Sequence, residues 1–206
     1  MRPTSFIIRP TFALFAALAF APSAQAGDID VQFKAKIRAT TCDMSIGGGS
    51  GGGDGAATTI PFGDVLLSDI INHRTDTAFH DATMQQFSLD IDNCPDSLNG
   101  IKTVITGVVP ADPTILMSSS TEEGAAGGVG VQFSRLDEME NHFKIFGVTN
   151  PSGSGAASTE VINWTEQEIS NKKVDMVAHL VTFKATADNT DIGSLQATAT
   201  FNFTYE

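Results

Sequence analysis

Apolar and polar residues alternate with a period of two over most of this chain, the pattern of strands with one face in a core. The clearest case is the last stretch. Leu195, Ala197, Ala199, Phe201, Phe203 and Tyr205 alternate with Gln196, Thr198, Thr200, Asn202 and Thr204. A second long alternation stands near the other end, where Ile29, Val31, Phe33, Ala35 and Ile37 are interleaved with Asp30, Gln32, Lys34 and Lys36. It predicts a strand running up to Cys42. Between them, Phe87, Leu89 and Ile91 lead into Cys94, and residues 102–109, 129–133, 143–148 and 174–187 read as further strands.

Gly, Asn, Asp, Ser and Pro clusters separate these runs, as turns between strands require. Residues 58–67 carry strand signals broken by Pro61 and Gly63, and residues 165–171 predict a single helical turn. About six to nine short strands without an amphipathic helix of ordinary length predict an all-β sandwich. No internal repeat or interdomain linker is evident, so one domain is expected.

The first 26 residues change the picture of where the protein works. Arg2 and Arg9 precede an apolar run from Thr11 to Phe20, followed by Ala24-Gln25-Ala26. That order is a signal peptide over 1–26, and about ten apolar residues are too few to span a bilayer. Removing its two arginines moves the net charge from −12 to −14. Such acidity argues against nucleic acid and against anionic membrane surfaces as partners, and no other stretch predicts membrane insertion. In an exported chain, the two cysteines Cys42 and Cys94 predict one structural disulfide.

Candidate chemistry is sparse. Gly47–Gly55 holds seven glycines in nine residues, but no Gly-Lys-Ser/Thr follows it, so it reads as a surface loop and not a phosphate cradle. His73 and His80 lie in a loop-like stretch with Asp76 and Asp81 at a spacing that matches no compact zinc pattern. His179 falls on the strand face opposite Ala178 and Leu180 and is expected to be exposed or at an edge. Asp90, Asp92 and Asp96 sit at strand ends and turns, and no Gly-x-Ser-x-Gly elbow occurs. The sequence calls for no catalytic residue, metal or cofactor.

Several stretches, in order, resemble the pilin subunits of chaperone–usher fimbriae of the type 1 and P-pilus kind. VQFKAKIRATTC is similar to the family's opening segment, with an aromatic nine residues before the first cysteine. FSLDIDNC resembles its segment into the second cysteine, and GGVGVQF its mid-chain strand. LVTFKATADNTDIGSLQATATFNFTYE resembles its last two strands, with Tyr205 as the penultimate aromatic and Gly193 fourteenth from the end.

The resemblance implies an incomplete immunoglobulin-like β-sandwich lacking its final strand, formed by residues 39–206, with a donor-strand extension over 27–38. The donor face would be Ile29, Val31, Phe33, Ala35 and Ile37. The family often has glycine where this chain has Ala35. The acceptor groove and chaperone-binding edge would comprise Gly193, Leu195, Ala197, Ala199, Phe201, Phe203, Tyr205 and Glu206, with residues of the strand before Cys42. The implied partners are a periplasmic chaperone, an outer-membrane usher and neighbouring pilin subunits. The implied destination is the surface fimbrium of a Gram-negative bacterium, reached through the periplasm. An alternative is a single-domain adhesive pilin that binds a host carbohydrate or receptor through its loops, with Gly47–Gly55, residues 150–158 and Trp164 as candidates.

Overall fold

Eleven strands and two short helices follow one another in the computed structural model, which describes residues 42–51, 57–118, 125–149, 160–182 and 193–206. All of these belong to one compact unit, Arg38–Glu206. The strands are β1 (Asp43–Gly47), β2 (Ser50–Gly51), β3 (Thr58–Thr59), β4 (Met84–Asp92), β5 (Ile101–Val109), β6 (Leu116–Met117), β7 (Val129–Arg135), β8 (Phe146–Thr149), β9 (Ile162–Asn163), β10 (Lys173–Thr182) and β11 (Ala199–Tyr205). Helix α1 spans Leu67–His73 and α2 spans Glu166–Asn171.

Two sheets pack face to face, and the all-β sandwich expected from the sequence is the fold. The first sheet has the order β1-β4-β10-β7-β6, and the second has β11-β5-β8, with β9 also on β5. Pairing is antiparallel except for β5 with β8. The period-two residues supply the core. Phe87, Leu89 and Ile91 of β4, Val131 and Phe133 of β7, and Met176, Ala178 and Leu180 of β10 face Ile101, Ile105 and Val109 of β5.

The predicted strands are found with shifted limits. The run at 143–148 becomes β8 only from Phe146. Phe143 and Ile145 are buried, and their amides bond to the carbonyls of Phe133 and Pro113. Of residues 58–67 only Thr58 and Thr59 are strand. They pair with Gly51 and Ser50, so the glycine-rich segment begins in a short ribbon. Residues 52–56 lie outside the described residues, as do 150–159, the turn at 188–191, residues 183–187 of the run expected at 174–187 and the opening strand expected before Cys42.

The expected helical turn at 165–171 is α2, closed by a full capping box. Thr165 accepts from the Glu168 amide while the Glu168 carboxylate accepts from the Thr165 amide. Helix α1 was not expected. It has no side-chain N-cap, so its N-terminus lacks the usual sequence signal. What holds it is Ile70, buried in the hydrophobic core cluster.

The disulfide expected from the sequence is formed, joining Cys42 and Cys94 with their Cα atoms 4.3 Å apart. It lies just beyond the Asp43–Asp92 pair and ties the start of β1 to the end of β4. Closing a loop of this length is worth roughly 4 kcal/mol on the chain-entropy view. Elsewhere, α2 is pinned to β7 by Arg135, which donates to both oxygens of Glu168 at 2.6 and 3.2 Å and to the Asn163 carbonyl at 2.9 Å. Its guanidinium also lies over the Phe143 ring, 5.4 Å from the centroid. Burial raises the Glu168 pKa, but hydrogen bonds from Arg135 and Thr165 outweigh it and leave the carboxyl below its usual value.

Two stability effects are expected. Glu168→Ala should cost about 1–3 kcal/mol in denaturant unfolding, because it leaves a half-buried Arg135 without its partner. The contribution that comes from the lowered Glu168 pKa is fully present above the ordinary carboxylate range and is lost as pH falls through the folded value. Gly130→Ala should cost about 1–3 kcal/mol by the same measurement, since a methyl there would lie 2.6 Å from the Leu116 carbonyl oxygen and against Ile115.

Candidate assembly interface

Strand β11 forms one edge of the second sheet. It pairs with β5 from Ala199 opposite Gly107 to Tyr205 opposite Ile101, and with no other strand among the described residues. Its side chains follow the alternation read from the sequence. Ala199, Phe201, Phe203 and Tyr205 are half-buried and packed on the core, while Thr200, Asn202 and Thr204 are exposed.

The strand does not begin at Leu195 as expected. Leu195 and Ala197 are half-buried against the core but lie off the β5 ladder, and Gly193 is exposed. Ser194 bridges instead to Ala125, its carbonyl accepts from Ala126 at 2.9 Å, and the Gln196 carbonyl accepts from Ser118. The ladder ends at Gly107, where the absence of a side chain admits Leu116 and the Thr198 carbonyl. The chain therefore peels away from β5 there and is caught by the segment leading into β7.

Aromatic side chains tie this edge to the rest of the fold. Phe201 lies 6.0 Å from Phe87 and 5.8 Å from Phe133, and those two rings are 6.0 Å apart, so three rings link β11 with β4 and β7. Phe203 packs edge-on against Trp164 at 6.4 Å. The Tyr205 hydroxyl donates to the Cys42 carbonyl at 3.3 Å, which brings the end of β11 against the start of β1. Strand β1 is the edge of the other sheet, and its Met44 and Ile46 are partly buried toward the core. The two edges thus present partly covered apolar side chains at the same side of the sandwich. Sequence reasoning missed Met44 and Ile46, although their spacing is the usual strand period.

At the far end of β11, the Glu206 main-chain oxygen accepts from the amides of Asn99 at 2.6 Å and Gly100 at 3.2 Å. Its side chain pairs with Lys102. Among the described residues of β11, the inner face carries no ionisable group apart from the Tyr205 phenol. The donor-face residues Ile29, Val31, Phe33, Ala35 and Ile37 lie outside the described residues, as does the segment before Cys42. Among the described residues, no helix is long and apolar enough to cross a membrane.

Trp164 is not available as a ligand platform. It is buried, and its indole N–H donates to Thr103 Oγ1 at 2.9 Å. The loop-binding alternative loses its aromatic candidate, because a tryptophan spent on core packing has no free ring face to stack on a sugar.

The chain belongs to the fimbrial protein family, whose sequence profile, described as Fimbrial protein, matches residues 31–206. It is a pilin, a structural subunit of a surface fimbria that associates with other pilin subunits, and not an enzyme. A relative in Escherichia coli K12, described as the uncharacterized fimbrial-like protein YadM, is 26% identical over 189 residues, 90% of each chain. The crystal structure of the P pilus rod subunit PapA shares the fold, with a TM-score of 0.53 at 14% identity over 86% of this chain and 99% of that one.

Phe201→Ala should cost about 2–4 kcal/mol in denaturant unfolding, since it removes the ring that touches both β4 and β7. Tyr205→Phe removes one hydrogen bond and should cost only about 0.5–1.5 kcal/mol by the same measurement. A larger loss for the tyrosine than for the phenylalanine would contradict this division of roles.

Proposed function

We propose that this pilin polymerises by donor-strand exchange. Residues 1–26 are the export signal, 27–38 the donor extension and 39–206 the pilin domain. The observation that carries the reading is β11, paired on one side with β5 and presenting a half-buried apolar face along its length. An added strand would hydrogen-bond along the side of β11 away from β5, and its alternate side chains would fill the space between β1 and β11. Residues 29–37 have the composition to be that strand, with Ile29, Val31, Phe33, Ala35 and Ile37 on one face. Each large apolar residue fully buried contributes roughly 1.5–3 kcal/mol before ordering costs.

A molecule cannot leave such an edge open during export, because an exposed apolar edge strand is a template for aggregation. A periplasmic chaperone therefore holds the groove until, at an outer-membrane usher, the extension of the next subunit replaces it. The groove residues are Leu195, Ala197, Ala199, Phe201, Phe203 and Tyr205, with Gly193 and Glu206 at its two ends. The fibre stands on the surface of a Gram-negative cell and contributes to adhesion there.

Deleting Gly27 to Lys36 from the mature chain tests the proposal. The shortened subunit should still be recovered with the chaperone but should not occupy a neighbour's groove, so fibres carrying it should stop growing at that subunit. Normal fibre length with the shortened subunit as the sole pilin would overturn donor-strand exchange.

A further inference from the structure

All four histidines of the chain meet on the outer face of the first sheet. His179 stands in the middle of β10, between Met84 of β4 and Gln132 of β7, and points away from the sandwich core. The expectation that it would be exposed or at an edge is wrong on both counts. β10 is a central strand, and His179 is only 3% exposed. Val177 and Val181 on the same face are buried as well.

The cover is α1 and the segment that follows it. His73, the last residue of α1, stacks its ring on His80 with centroids 3.6 Å apart and holds Asp76 Oδ2 at 2.7 Å through Nδ1. The His80 carbonyl accepts from Thr83 and Met84, which turns the chain into β4 beside His179. On the other side stands His142, from the stretch before β8. His179 Nε2, His142 Nδ1 and His80 Nδ1 are all buried without a hydrogen-bond partner. Among the described residues no three His, Cys, Asp or Glu side chains come together as a metal site.

We propose that His179 and His142 form an acid-sensitive latch that holds α1 and the segment to His80 on the outer face of the sheet. Neutral, the two rings pack as dry apolar surface. Charged, His179 and His142 repel one another, buried His179 loses the neutrality its burial requires, and the cover lifts.

The charged groups around His179 favour this reading. From α1 and its following turn come His73, Arg74 and Asp76. From the stretches leading to β6 and β8 come Asp112 and His142. β4 and β7 contribute only Met84 and the neutral Gln132, whose amide bonds to Thr114. Arg74, Asp112, Gln132 and Val181 line one cavity beside the cluster. Burial foremost, then the charge of His142, push the His179 pKa from 6.5 down to about 4, against the opposing pull of the His73 main chain and Asp76. Burial also lowers the pKa of His142, against the pull of Asp112.

The sign follows from linkage. A freed His179 takes its proton near pH 6.5, whereas the latched one waits until about pH 4. The closed cover is fully stable above 6.5, weakens as pH falls between these values and changes no further below them. The whole interval corresponds to at most about 300-fold in the closed-to-open ratio.

Amide hydrogen exchange on assembled fibres of the full mature chain, between about pH 7.5 and about pH 4.5, tests the latch. After correction for the intrinsic pH dependence, protection over residues 66–84 should fall at least about tenfold relative to β5. His179→Gln keeps polar donors in place without a titrating ring and should hold that protection nearly constant. Protection over 66–84 that tracks β5 at every pH in the natural sequence would overturn the proposal. So would a His179→Gln protein that loses it as steeply as the natural one. Should His179→Gln fail to assemble, His142→Gln on the rim of the cluster decides. A shallower loss than in the natural chain supports the latch, and an unchanged loss refutes it.

Discussion

The contact on which both sheets depend is the meeting of Phe201 with Phe87 and Phe133. β11 reaches the first sheet through that ring, and the same ring is only half-buried because β11 is an edge. A strand that is hydrogen-bonded to its sheet on one side and apolar on one face is stabilised by its sheet and its core, and an edge strand is also a template for pairing. The arrangement is tolerable in a protein whose business is to be joined to another copy. In an isolated monomer it would be a liability. Stability and assembly are thus two aspects of one edge.

The opposite surface is organised by the reverse requirement. The outer face of the first sheet carries Val177, Val181 and Met84, which need cover. A seven-residue helix with no N-terminal cap supplies it, and packing of Ile70 and His73 rather than intrinsic helix stability keeps it there. Four histidines share this lightly held cover. The sandwich therefore has an edge whose apolar side chains are half-covered and a face closed by a small element.

How much of this could be read from the sequence differs from element to element. β4 and β5 were legible because their residues alternate between more and less buried positions, and β7 and β10 because their runs are rich in β-branched and apolar residues, although both faces of those two strands prove buried. α1 was not, since a short helix stabilised by a distant sheet carries few local signals. His179 was read on the correct face and wrongly exposed, because a period of two says which residues share a face and nothing about what lies on top of it. Trp164 drew attention as a lone aromatic near loops, but its partner Thr103 is sixty-one residues away and was invisible to any local reading.

The sequence by itself determined the strand periodicity, the export signal it predicts, the pairing of two cysteines and the apolar face of Leu195 to Tyr205. Those depend on local backbone geometry or on residue chemistry alone. Only the tertiary structure decided that the ladder starts at Ala199, that Tyr205 reaches Cys42, and that His73, His80, His142 and His179 meet. Those are contacts between segments far apart in the chain, and burial exists only once such segments have packed.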